Sequence, residues 1–375
     1  MTLSVKDIFQ SLVEHELSVP KIIPTQEPNY KPDTISIVSL FCGAGGIDLG
    51  FESAGVEIAL NSSIDYFNEY YLTVRNQSIA HTSYALDFCA EAVETFKNNF
   101  EDSTVQLANI RQLKHFPFAD IYSFGFPCQG FSSAGPRNLK DERNFLYVHC
   151  CRALQEAQPK FFFAENVPGL LTLQNGAIFK QIQADFKECG YRIYWKVVNS
   201  RDFGCAQIRE RVYIIGVRVD IDYHYEFPKS THGTLKQPFL TLKECIGDLP
   251  EDDNYYIGSY SSQYMSRNRK KEWHEQSFTI QASARQSPLH PSSTMKRLSS
   301  TNYELVGACR RLTVREAARI QSFPDWFDFS YGNNNDIQHN TRIDKQFKQV
   351  GNAVSPLVMK HLSKPVLLFL KQANL

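Results

Sequence analysis

I-S-I-V-S-L-F-C-G-A-G-G, at residues 35–46, joins a short apolar run to a glycine-rich turn. The run from Ile35 to Phe41 is typical of a strand buried on both faces. Gly43, Gly45 and Gly46 would let the following backbone approach a nucleotide-like ligand closely. The turn lacks the full G-x-G-x-x-G spacing of dinucleotide-binding proteins, so by itself it supports a cofactor site only weakly.

As far as residue 218, short apolar runs alternate with amphipathic stretches. Further strands are predicted at Val56–Leu60, Val105–Ala108, Ile121–Phe126, Phe161–Glu165, Arg192–Asn199 and Val212–Val217. Helices are predicted at Ala90–Asn98, Asn144–Ala157 and Phe179–Cys189, the last ended by Gly190. Alternation of this kind predicts an α/β fold, with a mostly parallel sheet and helices on both faces.

Two regions depart from this pattern. Residues 61–84 are polar and rich in tyrosine, and they are interpreted as an insertion without an assigned function. Residues 219–309 carry prolines, serines and charge clusters with little periodicity, which predicts a second, smaller and irregular domain. Amphipathic helices are predicted again at Thr313–Ser322 and Ser355–Lys371.

The composition limits the classes of protein to consider. A chain of 375 residues, of which 42% are hydrophobic and 21% charged, fits a soluble protein with ample core. Forty basic and forty acidic side chains give a formal net charge of zero, so a nucleic-acid surface would need locally concentrated positive charge.

The cysteines and the first residues favour a reducing, cytoplasmic location. Nine cysteines without C-x-x-C spacing indicate neither a disulfide framework nor a zinc site, and no metal is expected. The first 33 residues lack the basic start and apolar core of a secretion signal. No apolar run approaches the roughly 18 residues needed to span a bilayer, so no membrane contact is expected.

A second motif, G-F-P-C-Q-G-F-S at residues 125–132, lies where the predicted strand Ile121–Phe126 ends. It places Cys128 directly after a proline, in a turn where a thiolate could act as a nucleophile. A small buried core cysteine is the alternative interpretation. Together with the glycine turn, the motif predicts group transfer by covalent catalysis.

Six segments match one protein family in that family's own order. They are S-L-F-C-G-A-G-G at 39–46, G-F-P-C-Q-G-F-S at 125–132, E-N-V at 165–167, Q-I-R-E-R at 207–211, R-R-L-T-V-R-E-A-A-R-I-Q-S-F-P at 310–324 and Q-V-G-N-A-V at 349–354. From about Ser36 to Leu362 the chain resembles the cytosine-5 DNA methyltransferases. The resemblance implies a Rossmann-like, S-adenosylmethionine-dependent methyltransferase sheet with a smaller target-recognition domain.

The resemblance also assigns catalytic roles. Carbon 5 of cytosine is a poor nucleophile until a thiolate adds to carbon 6, and Cys128 is the implied thiolate. Glu165 would donate to ring nitrogen 3, with burial favouring its protonated form, and Asn166 would orient the loop holding Cys128. Arg209 and Arg211 alternate at strand spacing and would support the cytosine and its phosphate, although a structural salt-bridge pair would show the same spacing.

The implied cofactor is S-adenosylmethionine. Its methionine and sugar ends would contact Phe41, Gly43, Gly45 and Gly46, Asp87 would bind the ribose, and Phe88 would lie beside the adenine. The other implied contacts are Asn109, Ile110, Pro127, Leu146, Asn352 and Val354. Asn109 stands where the family usually has an aspartate, so it can accept a hydrogen bond from the adenine amino group but carries no charge. An ordinary turn acid remains the alternative for Asp87.

The resemblance implies a discontinuous catalytic domain, since the 349–354 segment packs beside the glycine turn in the family. We assign residues 34–218 and 345–375 to it, 219–344 to the recognition domain and 1–33 to an N-terminal extension. Residues 259–303 contain seven basic and two acidic side chains, a pattern that fits phosphate contacts or, alternatively, a solvated loop face. The residues predicted to contact DNA are Gln129, Ser132, Arg267, Arg269, Lys270 and Arg285.

The implied substrate is double-stranded DNA from which a cytosine is flipped, with residues 129–137 closing over it. The implied cellular task is that of a monomeric bacterial modification enzyme, protecting host DNA from a restriction endonuclease without a stable complex. Three alternatives stay open: an RNA cytosine-5 methyltransferase of the same fold, a non-catalytic DNA-binding relative, and another Rossmann-type enzyme such as a dehydrogenase. The sequence does not reveal the recognition site.

Overall fold

The computed structural model of the protein describes residues 5–127, 145–332 and 336–373. The strands of its main sheet are β1 (Ile35–Leu40), β2 (Ala80–Asp87), β3 (Thr104–Leu107), β4 (Ile121–Phe124), β5 (Phe161–Asn166), β6 (Tyr191–Asn199) and β7 (Glu210–Arg218). They lie in the order β3-β2-β1-β4-β5-β7-β6. The first five strands in this order, β3 to β5, are parallel to one another, and β7 is antiparallel to both β5 and β6. The predicted α/β class with a mostly parallel sheet is confirmed.

Helices cover both faces of this sheet. The helices of the described residues are α1 (Val5–Ser18), α2 (Gly46–Leu60), α3 (Tyr70–Val74), α4 (Ala90–Asn99), α5 (Tyr147–Ala157), α6 (Ala177–Glu188), α7 (Leu242–Ile246), α8 (Ser262–Met265), α9 (Val314–Ile320), α10 (His339–Asn352) and α11 (Pro356–Ala373). α2 and α11 share one apolar core with one sheet face, and α5 and α6 share another with the opposite face. The predicted helices corresponding to α4, α5, α6, α9 and α11 are confirmed to within a few residues where described.

The predicted strand Val56–Leu60 is wrong, because these residues form the last part of α2. Their alternating apolar residues resemble a strand, yet nearly the whole of α2 is buried between the sheet and α11. A helix buried on all sides shows no polar face, so its period is not visible in the sequence. Gly50 allows the close approach, since a Cβ there would lie 2.5 Å from the Cβ of Met359.

The predicted insertion at residues 61–84 is also wrong in its second half. It contains α3, a turn of 3-10 helix and the first part of β2, which pairs in parallel with β1. β2 is therefore the strand that the prediction had placed at Val56–Leu60. Its start is polar because Thr82 and Ser83 bond to neighbouring elements: Thr82 donates to Asp48 at 2.9 Å and Ser83 to the Ile37 carbonyl at 3.1 Å.

Residues beyond 219 are mostly irregular, as predicted, with one addition. β8 (Thr294–Ser299) and β9 (Asn302–Val306) form an antiparallel hairpin whose side chains are largely exposed. The chain then returns through α9 and α10 to α11. One apolar core joins α9 and α10 to α4, through residues such as Phe323, Phe347 and Phe96.

One described segment, His339–Ala373, is long and apolar enough to cross a membrane by length and composition. It covers α10 and α11, and 67% of its most apolar window is buried inside the fold. That degree of burial is what the core helix of a soluble protein shows.

The first 33 residues, as far as they are described, pack beside the main sheet. After α1 the chain forms a strap, residues 19–33, that runs beside β3 and β2. The Asn29 N–H donates to the Ser83 carbonyl and the Ile23 N–H to the Gln112 carbonyl, both at 2.9 Å.

Candidate active site

The carboxyl ends of β4 and β5 lie side by side and bring two of the sequence motifs together. β4 leads through Phe126 to Pro127, and the next residue, Cys128, lies outside the described residues. The side-chain amide of Asn166 donates to the Phe126 carbonyl at 3.3 Å, and its oxygen accepts from the Val167 N–H at 2.8 Å. Asn166 therefore holds the backbone that leads to Cys128.

Glu165, next to Asn166 in β5, forms an ion pair with Arg211 in β7. Their Oε1 and Nε atoms are 3.0 Å apart, and their side chains are only 12% and 14% exposed. Burial raises the pKa of the Glu165 carboxyl, and the positive charges of Arg211 and Arg209 oppose that rise only in part. Glu165 therefore keeps a proton at higher pH than a free glutamate, which is what a donor to a ring nitrogen requires.

Arg209 has different surroundings from Arg211. It is 2% exposed, and its guanidinium donates to the carbonyls of Ile280, Gly351 and Ala353 at 3.1, 2.9 and 3.0 Å. These contacts join the residue that precedes β7 to two segments that are distant in sequence. Arg209 is thus a positioning residue in this structure, and its contact with a DNA phosphate stays a prediction.

The buried side-chain amides of Gln207 and Gln321 link the same distant segments as Arg209. The Gln207 side chain donates to Gln321 and accepts from the Ile280 N–H at 2.8 Å, while Gln321 donates to the Ala353 carbonyl at 2.6 Å. Both glutamines are fully buried. The motifs at 207–211, 310–324 and 349–354 therefore meet in one hydrogen-bonded network, which fixes the base of the site.

The glycine turn after β1 adopts the backbone that its sequence predicts. Gly43 and Gly45 have φ values of 54° and 92°, in the left-handed region that favours glycine. A Cβ on Gly43 would meet nothing within 4 Å, so this side of the turn is open. A Cβ on Gly46 would lie 2.3 Å from the Val354 carbonyl oxygen. Glycine at position 46 thus allows the 349–354 segment to pack against the turn, as the resemblance implied.

Asp87 lies at the carboxyl end of β2, next to this turn. Its carboxylate accepts from the backbone N–H groups of Gly43 and Cys89, each at 2.9 Å, and burial raises its pKa. The neighbouring Phe88 side chain is 72% exposed, an unusual state for a phenylalanine. Asn109 is exposed after β3, the strand beside β2, and its side-chain oxygen accepts from the Arg111 N–H at 3.1 Å. An acid, an open aromatic ring and an amide therefore share one edge of the sheet.

The other residues predicted to contact the cofactor differ in exposure. Phe41 and Pro127 are half-buried, Ile110, Leu146 and Val354 are buried, and Asn352 is exposed. Among the residues described, no three His, Cys, Asp or Glu side chains form a group that could hold a metal ion.

Residues 35–367 match the family described as C-5 cytosine-specific DNA methylase. The chain belongs to this family. The methylase is 47% identical over 359 residues to the type II methyltransferase M.BspRI of Lysinibacillus sphaericus, a match covering 92% of this chain and 85% of that protein. It is 48% identical over 357 residues to M.BsuRI of Bacillus subtilis, covering 91% and 81%. The predicted family and enzyme class are confirmed.

Solved structures agree with the fold of the methylase. The Dnmt2 methyltransferase of S. pombe superposes with a TM-score of 0.59 at 14% identity, over 91% of this chain and all 100% of that chain. The EhMeth methyltransferase of Entamoeba histolytica gives 0.58 at 17% identity, over 91% and 98%. At these identities the likeness supports the fold alone.

The basic residues predicted to contact DNA have unequal surroundings in the methylase. Arg267 and Arg285 are exposed. The Arg269 guanidinium lies 5.3 Å from the ring centre of Phe278 and donates to the Gln286 carbonyl at 2.8 Å. Lys270 pairs with Glu272 at 3.0 Å. Arg269 and Lys270 are thus engaged within the protein, which leaves Arg267 and Arg285 as the stronger candidates; Gln129 and Ser132 lie outside the described residues.

The structure of the methylase draws attention to three residues that the sequence did not single out. The β8–β9 hairpin carries exposed Lys296 and Arg297, which the sequence analysis had counted only as part of a basic region. Asp48, in the first turn of α2, is 1% exposed and accepts from Ser39 and Thr82. Its position two residues after Gly46 was the available signal, but burial of an acid is not visible in a single sequence.

Proposed function

We propose that the methylase transfers a methyl group from S-adenosylmethionine to carbon 5 of a cytosine within a specific double-stranded DNA sequence. The observation that carries the proposal is the largely buried Glu165–Arg211 pair beside Asn166, whose side chain holds the backbone leading to Cys128. A donor with a raised pKa, next to the backbone that leads to Cys128, fits the two demands of this reaction, which are a proton donor and a thiolate.

Each step of the proposed reaction depends on a different residue. The Cys128 thiolate adds to carbon 6 of the cytosine, and the electrons move toward ring nitrogen 3. Glu165 donates to that nitrogen, and Arg211 fixes the carboxyl. S-adenosylmethionine, when bound, would supply the methyl group that carbon 5 receives, and the S–CH3 bond that breaks would leave S-adenosylhomocysteine. Loss of the carbon 5 proton to solvent then expels the Cys128 thiolate, and the products are 5-methylcytosine and S-adenosylhomocysteine.

The edge of the sheet formed by β1, β2 and β3 suits the cofactor. The open side of Gly43 leaves room for a ligand against the backbone, and Asp87 stands one hydrogen bond away from that glycine. The carboxylate has lone pairs left to accept from ribose hydroxyls. The exposed Phe88 ring offers a surface for an adenine, and the Asn109 oxygen can accept from its amino group.

A cytosine inside a duplex must leave the base stack before Cys128 can reach it, at a cost of a few kcal/mol. Residues 129–137 are proposed to close over the flipped base. Because the formal net charge of the chain is zero, phosphate contacts must come from local groups such as Arg267, Arg285 and the β8–β9 hairpin.

The proposed cellular task is protection of host DNA from a restriction endonuclease, as for a type II modification enzyme. The similarity to M.BspRI and M.BsuRI over more than four fifths of each protein supports it. Such an enzyme acts on each DNA strand separately. It therefore needs neither a second copy nor a stable complex with the endonuclease, and it works in the cytoplasm.

The test is bisulfite sequencing of a plasmid that carries the gene, in a host lacking its own cytosine-5 methylation. We expect protected cytosines in one repeated sequence context, and none in a matched plasmid encoding Cys128→Ser. Soluble wild-type protein without any protected DNA cytosine would contradict the proposal. Methylation found in cellular RNA instead would favour an RNA cytosine-5 methyltransferase.

A further inference from the structure

The N-terminal segment contacts the loop that follows β3, which carries Asn109. Backbone pairing is the first contact: the Ile23 N–H donates to the Gln112 carbonyl, and the Lys114 N–H donates back to the Ile23 carbonyl, both at 2.9 Å. The strap thereby adds one isolated bridge of parallel pairing to the loop. The loop is held from a part of the chain that lies outside the family match, which begins at residue 35.

Glu16, in the last turn of α1, makes the second contact. One oxygen of its carboxylate, Oε1, lies 2.5 Å from the Arg111 Nε and 3.0 Å from the His149 Nε2. The Glu16 side chain is 4% exposed and that of His149 is fully buried. A single buried carboxylate oxygen therefore joins the loop after β3 to the first turn of α5.

The charges in this cluster are well defined. Burial acts to raise the pKa of Glu16, but hydrogen bonds from His149 and Arg111 outweigh it and lower the pKa, so the carboxylate is ionised. Burial lowers the pKa of His149, which favours a neutral ring that donates through Nε2–H. Glu16 and Arg111 thus form the ion pair, and His149 adds a neutral donor.

The same loop is held from α5 as well. Arg152 donates to the carbonyls of Ile110 and Leu113 at 3.2 and 2.8 Å. Asn109 is attached to this arrangement, because its side-chain oxygen accepts from the backbone N–H of Arg111. A change in the position of Arg111 is therefore transmitted to Asn109 across one residue.

We propose that Glu16 is a positioning residue for the cofactor. It fixes Arg111, and through it Asn109, so that the N-terminal segment completes the adenine end of the site. The inference rests on the proposed function, which places the adenine beside Asn109. Glu16 touches neither substrate nor the reacting atoms.

The variant Glu16→Gln tests this role, because it keeps the shape of the side chain and removes its charge. We expect binding of S-adenosylhomocysteine, followed by calorimetry, to weaken at least about fivefold. The KM for S-adenosylmethionine should rise to a similar extent, while kcat at saturating cofactor and the Kd for DNA stay within about twofold. Glu27→Gln, on the exposed part of the strap, is the matched control and should behave as wild type.

The outcomes separate the two proposals. A wild-type protein that binds no S-adenosylhomocysteine would contradict the proposed function itself. Wild-type binding that Glu16→Gln leaves unchanged would overturn the role of Glu16 alone, as would an equal loss in cofactor affinity, kcat and DNA affinity with a lowered Tm. If Glu16→Gln is insoluble, Arg111→Lys carries the same expectation from the other side of the ion pair.

Discussion

Glu165 is a carboxyl on which burial and a neighbouring arginine act in opposite directions, with burial dominant. Its proton is therefore retained at higher pH than in a free glutamate, and activity that needs this proton should fall as the pH rises through the raised pKa. We expect Glu165→Gln to lower kcat about 10²- to 10⁴-fold and to remove that basic limb from the pH profile. Cofactor affinity should be unchanged.

Transfer of a labelled methyl group to DNA between pH 5 and pH 9 measures both effects. Glu188→Gln, an exposed acid on α6, is the control. A Glu165→Gln enzyme with wild-type kcat would exclude the proposed role of Glu165.

Asp48 gives a prediction about stability. Burial raises its pKa to about 7, against hydrogen bonds from Thr82 and Ser39 that favour the charged form. A folded-state pKa above the unfolded value means that stability is fully present at low pH and is lost as the pH rises, here between about 4 and 7. The loss is at most about 4 kcal/mol, since one pKa unit corresponds to about 1.4 kcal/mol.

Asp48→Asn removes the charge and can keep a hydrogen bond to each hydroxyl, one of them reversed so that the amide nitrogen donates. We therefore expect its Tm to fall less than that of the wild type between pH 5.5 and pH 8, as measured by differential scanning fluorimetry. The exposed Asp222→Asn is the control and should follow the wild type. Identical pH dependence in Asp48→Asn and wild type would show that Asp48 does not titrate in this range.

Single residues also show how far the sequence could lead. The family resemblance implied that Glu165, Asn166 and Arg211 serve one site, and the structure brings Glu165 and Arg211 into contact. The motifs could not predict that Arg269 packs against Phe278 or that Glu16 reaches Arg111. Those contacts join residues whose local sequence carries no signal of the partner.

At the scale of the element, apolar periodicity predicted the wrong secondary structure where contacts with other elements, rather than the local sequence, determine which residues are buried. The end of α2 alternates like a strand, while β2 begins with residues whose polar groups are satisfied by other elements. Strands such as β1, β4 and β5 were predictable because each is buried on both faces and therefore mostly apolar. The location of Cys128 and the loop after it lies outside the described residues and stays a prediction.

The β8–β9 hairpin is an element with little contact to the rest of the protein. A two-stranded ribbon has marginal stability in water, and its exposed Lys296, Arg297 and Leu298 suggest contact with DNA. We expect the double variant Lys296→Ala/Arg297→Ala to weaken DNA binding and to reduce the slope of log Kd against log salt by about 1 to 2.

Fluorescence anisotropy with a labelled duplex over a salt series checks this. The pair Lys180→Ala/Lys187→Ala, exposed on α6, removes the same charge elsewhere and should leave the slope less affected. Equal slopes in both double variants would place the hairpin away from the phosphates.

For the whole molecule, cofactor binding should appear as a gain in stability. At a concentration 100 times its Kd, S-adenosylhomocysteine should add about 2.7 kcal/mol and raise Tm by about 3 to 6 °C. NAD at the same concentration should have no effect, because the turn at residues 43–46 lacks the full dinucleotide spacing. A shift with NAD alone would favour the dehydrogenase alternative.

The contact between Gly46 and Val354 has a consequence for synthesis of the protein. Gly46 leaves the ribosome roughly 15 to 60 seconds before Val354, at about 5 to 20 residues per second. Likewise, Arg209 can donate to the carbonyls of Gly351 and Ala353 only after those residues have been synthesised. A nascent chain therefore carries the side chains proposed for catalysis before the proposed cofactor pocket can form, because one wall of that pocket is synthesised about three hundred residues later.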